Sequence, residues 1–176
     1  MPGPVSSTEP IAAPFLERIS RKQIRSFLED RSSTSRIQPT SPTTMTMLPQ
    51  VRPNIVQSIR AFRPEDLQRA AQELGQHFLY ASLAQATTKQ EVLEAIAEQF
   101  TFPKHFGKNF DALHDCLTDM VYKAGPQPGF IVVLDQIPSG GKFDREAREM
   151  LLDVFRDAAD FWADKGVQFR CFYSFR

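Results

Sequence analysis

Phe102-Pro-Lys-His-Phe-Gly-Lys-Asn-Phe-Asp-Ala-Leu-His-Asp-Cys-Leu-Thr-Asp-Met120 joins a turn-rich approach to a short amphipathic helix. Gly107 frees the backbone ahead of Asn109, which is placed as an N-cap, and the helix is expected to run to about Val121. At 100° per residue, with Asp111 at zero, Asp115 falls at about 40°, Asp119 at about 80°, His114 at about 300° and Thr118 at about 340°. Phe110, Leu113, Cys116, Leu117 and Met120 fall between about 140° and 260°, a side that can dock on a sheet. Asp111 and Asp115, at i and i+4, repel by a few tenths of a kcal/mol, and the helix N-terminus offsets part of this for Asp111. A face of carboxylates can imitate nucleic-acid phosphates and so block a basic active site. From spacing alone an ordinary solvated face, which is what most acidic helix faces are, is the favoured reading.

The elements on either side of this helix imply an α/β fold. Pro64–Leu74 reads as a helix, with proline at its start, acids in its first turn and Gly75 at its end. His77–Leu83 alternates and is aromatic enough for a strand. Lys89–Phe100 is an amphipathic helix with Val92, Leu93, Ile96, Ala97 and Phe100 inward. Beyond the turn Gly125–Gly129, Phe130-Ile-Val-Val-Leu134 is an unbroken apolar run of strand length, the pattern of a buried parallel strand. Pro138–Gly141 is a loop, Asp144–Lys165 a long helix ended by Gly166, and Val167–Phe175 a last strand. On that strand Phe169, Cys171, Tyr173 and Phe175 alternate as core, and Phe172 faces the other way, into a second core layer or an exposed patch, of which the former fits a sheet covered on both sides. Strands separated by helices favour a parallel sheet, here three-stranded and packed with helices.

The chain has 176 residues, enough for one domain and an appendage. Residues 1–50 are rich in Pro, Ser and Thr and are expected to be a disordered or loosely ordered extension. A short basic helix is conceivable over Pro14–Asp30, and Met45 or Met47 is an alternative start. Residues 51–76 form a lead-in segment and helix, and residues 77–176 the main domain.

The 21 basic and 21 acidic residues balance. Residues 1–76 carry 10 Lys/Arg and 7 Asp/Glu, a net +3; residues 77–176 carry 11 and 14, a net −3. The neutral total argues against direct nucleic-acid binding, and the acidic part suits a basic partner. No apolar run reaches membrane-span length, and the N-terminus lacks a secretory pattern, so the expected location is cytoplasmic. Cys116 and Cys171 read as reduced core residues. His77 reads as a structural histidine and Trp162 as core or rim packing.

Catalysis and cofactors are not expected. His114, Asp115 and Cys116 are adjacent on a helix and point in different directions. His77 and His105 have no metal spacing, and Gly140-Gly141 lacks the rest of a phosphate loop.

The segment resembles the barstar family of intracellular ribonuclease inhibitors. The resemblance rests on Pro103, Gly107, Asn109, Asp111-Ala112-Leu113 and Asp115-Cys116-Leu117-Thr118, and continues in Leu152-Asp-Val-Phe-Arg-Asp-Ala158 and the final strand. It covers roughly residues 77–176 and implies a barstar-like fold without enzymatic activity. It further implies a basic ribonuclease or toxin nuclease domain as partner. Asp115 matches the family's dominant acid and Asp111 a second interface acid, while Asp157 stands for a glutamate on the later helix. Thr118 and Asn109 match polar contact positions, and His105 stands where the family has a tyrosine. His114 and Met120 replace two tryptophans, and Asp119 replaces a glycine. The kept acids imply a similar mode of binding. The changed positions argue against the same nuclease and leave a barstar-like interaction module with a non-nuclease partner as the alternative.

Overall fold

A computed structural model describes residue 48 and residues 51–60, 62–120, 125 and 127–176. The expected Pro14–Asp30 helix and both alternative start methionines lie outside these residues, as does the expected N-terminal extension apart from Leu48.

The described residues form β1 (Ile55–Ser58), α1 (Pro64–Glu73), β2 (His77–Ser82), α2 (Lys89–Gln99), α3 (Phe110–Thr118), β3 (Gly129–Ile137), α4 (Arg145–Asp164) and β4 (Gln168–Phe175). All strand pairs are parallel, in the order β1-β4-β3-β2. The fold class is therefore the expected parallel α/β, with four strands rather than three. The added strand, β1, is four residues long and half-buried at every position. It carries no alternation, and only its pairing with β4, from Ile55 with Arg170 to Ser58 with Tyr173, makes it a strand. Asn54, at φ +56°, donates from its side-chain amide to Ala159 O and Val167 O, each at 3.0 Å, and so ties the approach to β1 onto α4 and its exit.

The sheet is covered on both faces, which explains the unbroken apolar run of β3. Phe130, Val132, Leu134, Phe169 and Cys171 face the core shared with α2, α3 and α4. Ile131, Val133 and Phe172 face Leu67 and Ala71 of α1, with Leu48 alongside. Phe172 is thus in the second layer as expected. Phe175, read as core, is 48% exposed, because as the last residue of β4 it lies past the packed core; Tyr173 is half-buried and packs against that core. Arg170 is 4% exposed and held by neutral acceptors, Val51 O at 3.3 Å and Gln168 Oε1 at 2.9 Å.

Local chemistry sets the helix ends. Pro64 opens α1. Thr88 and Glu91 form a capping box on α2, and Asp144 caps α4 by accepting from Ala147 N at 2.8 Å. Gly75 and Gly166, at φ +63° and +69°, follow α1 and α4. At the outer edge of the sheet, the Gln99 side chain accepts from Ser82 N at 2.9 Å and donates to Ser82 O at 3.0 Å. No helix among the described residues is long and apolar enough to cross a membrane.

Candidate functional site

The acidic helix is fixed from both ends. At its start, Asn109 Oδ1 accepts from Ala112 N at 2.7 Å, while its Nδ2 donates to Gly107 O at 3.3 Å. Gly107 has little room beside it: a methyl group there would meet Asn109 Nδ2 at 3.2 Å and Ala112 Cβ at 3.3 Å. Lys108 takes a left-handed φ of +48° and its ammonium reaches Glu94 Oε1 on α2 at 2.7 Å. That hydrogen bond is the main cause holding the Glu94 carboxyl below its ordinary range. Lys89 of α2 lies 4.1 Å from the centre of the Phe110 ring. At the other end, the indole N–H of Trp162 on α4 donates to Leu117 O at 3.0 Å. This bond satisfies a carbonyl in the last turn of α3, where helical partners run out. No sequence signal marked Trp162 for this role, since the packing of α3 along α4 is a tertiary fact.

The helix stops at its C-cap, Asp119, earlier than the expected Val121, which itself lies outside the described residues. Its buried side consists of Phe110, Leu113, Leu117 and, just beyond, Met120. Cys116, expected in the core, is only half-buried. It sits at about 140°, on the flank rather than the middle of the apolar side. Cys171 is fully buried, and burial pushes its thiol up.

The opposite side is accessible. Asp111, Asp115 and Asp119 are exposed, and His114 and Thr118 are half-buried between them. The Asp115 side chain is 86% exposed and lies 4.0 Å from His114 Nδ1. Asn109 and His105, in the approach to the helix, are exposed as well. Thr118 turns its hydroxyl back to donate to His114 O at 3.0 Å. Asn109 likewise uses its amide for capping, so both polar residues chiefly shape the helix.

Asp157 is exposed on α4, the helix against which α3 packs. With Phe155 of α4 at zero, Asp157 falls at about 200°, between the solvent side and a shoulder formed by Phe161 at about 240° and Val154 at about 260°. The opposite flank, at about 40°, holds Ala159, whose carbonyl is bonded by Asn54 beside β1. Asp157 therefore lies on the side of α4 turned away from β1. Among the described residues, Asp111, Asp119 and Asp157 pair with no cation, whereas Asp153 and Glu149 both engage Arg156.

No described group of three or more His, Cys, Asp or Glu could hold a metal ion. The fold and this face define a parallel α/β domain presenting carboxylates on a short helix. The family model for barstar, described as barnase inhibitor, matches residues 76–174, more than half of the chain. The chain belongs to the barstar family. Comparison with curated proteins gave no match.

Proposed function

We propose that this protein binds a basic ribonuclease or toxin nuclease domain in the cytoplasm and occludes its active site, with the acidic side of α3 standing in for substrate phosphates. The observation that carries this reading is the accessibility of Asp111, Asp115 and Asp119 on one helix whose buried side is locked to the core. Asp115 makes the central contact. Asp111, Asp119 and Asp157 add to the negative field, and His105, Asn109, His114 and Thr118 border it. A basic cleft attracts such a surface at long range and loses access to its substrate once it is covered. The protein acts by covering a site, without chemistry, cofactor or direct contact with nucleic acid or membrane.

Inhibition assays against barnase and a panel of basic toxin nuclease domains test this directly. Asp115→Ala is expected to weaken the complex by about 2–5 kcal/mol, a range taken over from charge-pair interfaces including barnase–barstar. Unchanged inhibition constants would remove Asp115 from the contact.

A second reading, a barstar-like module with a non-nuclease partner, is favoured by one observation. Met120, at a position where the family has tryptophan, is 7% exposed and offers no aromatic anchor. Affinity capture with an Asp115→Ala control separates the two readings. Partners lost in the variant and devoid of nuclease activity support the module.

A further inference from the structure

We propose that Glu94, on α2, is a positioning residue for the contact: acting through Lys108, it fixes the approach to α3 and so slows release of a cationic partner; this rests on the inhibitor reading. Apolar side chains anchor that approach at intervals. Phe102 and Phe106 pack against the core, with ring centres 5.5 Å apart, and Phe110 is 7% exposed with Lys89 over its ring. Between Phe106 and Phe110, the residues Gly107, Lys108 and Asn109 are all exposed. Asn109 bonds to Gly107 and Ala112, within the approach and its own helix. The bond from Lys108 Nζ to Glu94 Oε1, at 2.7 Å, is what ties this stretch to another element. Gln90 Nε2, one turn earlier on α2, donates to the same oxygen at 3.0 Å and steadies it.

The backbone is what needs holding. Lys108 sits at φ +48°, a left-handed conformation that residues other than glycine disfavour. Gly107, beside it, is free to adopt many conformations. A tether from Lys108 therefore selects one arrangement of the stretch that joins His105 to Asn109 and Asp111. The two side chains of the pair are 53% and 41% exposed, and so open a pair contributes little to folding stability. Its effect belongs to the complex. A loop ordered beforehand removes an entropic cost of association, and differences between variants of one interface fall mostly on dissociation.

Charge separates positioning from attraction. Glu94→Gln removes a negative charge, and Lys108→Met, which keeps the length of the side chain, removes a positive one. Long-range attraction to a cationic partner then shifts association in opposite directions. Loss of the tether shifts dissociation in the same direction in both.

The test measures association and dissociation rates of barnase, and of the basic toxin nuclease panel, with wild type, Glu94→Gln, Lys108→Met and the double variant, at low and high salt. Each single variant is expected to release its partner about three- to tenfold faster, and the double variant no faster than the worse single one. Association is expected to slow in Glu94→Gln and quicken in Lys108→Met, a difference that shrinks with salt. Circular dichroism and thermal unfolding are expected to stay close to wild type in all three. Unchanged dissociation, or affinities that merely follow net charge, overturns the positioning role while leaving the inhibitor reading intact. Faster release in Lys108→Met alone overturns it too, by making Lys108 itself the contact. Absence of binding by wild type across the whole panel sinks both readings.

Discussion

Replacing Trp162 by phenylalanine removes the hydrogen bond that ties the end of α3 to α4. The indole is 3% exposed and its N–H lies 3.0 Å from Leu117 O. Phenylalanine has no donor, so that carbonyl keeps its burial and loses its partner, a cost of about 1–3 kcal/mol. The smaller ring also leaves space beside Phe130 and Phe161, whose ring centres each lie 5.1 Å from that of Trp162. Partial collapse of that space adds about 1 kcal/mol. Trp162→Phe is therefore expected to destabilise the fold by roughly 2–4 kcal/mol. Trp162 is the only tryptophan in the chain, so unfolding of the variant in urea must be followed by far-ultraviolet circular dichroism. Alongside the stability loss, α3 is expected to dock less firmly, so the proposed inhibition should weaken although Trp162 is buried away from the acidic face. A loss below about 1 kcal/mol would refute the assignment of Trp162 as the staple.

Asp119→Asn removes an anion from the C-terminal end of α3 and from an i,i+4 repulsion with Asp115. It is expected to raise stability by about 0.3–1 kcal/mol while weakening capture of a basic partner, and a fall in the urea midpoint would contradict this. Burial lowers the affinity of His77 for a proton below its ordinary value of 6.5. The unfolded chain then takes up this proton more readily than the folded one. The contribution of His77 is thus complete above pH 6.5 and declines as pH falls from there toward the depressed folded value. His77→Gln should flatten that part of the stability–pH curve measured by thermal unfolding, and an unchanged curve would assign the decline to other groups.

Different physical scales separate what could be read in the residues from what could not. Phe130–Leu134 announces a strand by itself, because burial on both faces leaves no polar position. The two sides of α3 follow from a rotation of 100° per residue, so the exposure of Asp111, Asp115 and Asp119 was legible. Cys116 was placed too deep because flank positions are decided by the neighbouring helix. Ile55–Ser58 gave no warning: four half-buried residues become a strand only through β4. Phe175 has core chemistry but ends β4 outside the packed core, and hydrophobicity says nothing of where a layer ends. The choice of Asp157 as a contact residue rests on how two helices dock, which no residue pattern reveals, and came from the family resemblance alone.

The amide of Gln99 on Ser82 has a bearing on behaviour at high concentration. An outermost strand offers its backbone to any passing chain, and sheet-to-sheet stacking begins from such offers. Here the final rung is already taken by a side chain of the same molecule. An intruding strand would have to evict it from this rung, losing two hydrogen bonds before gaining any.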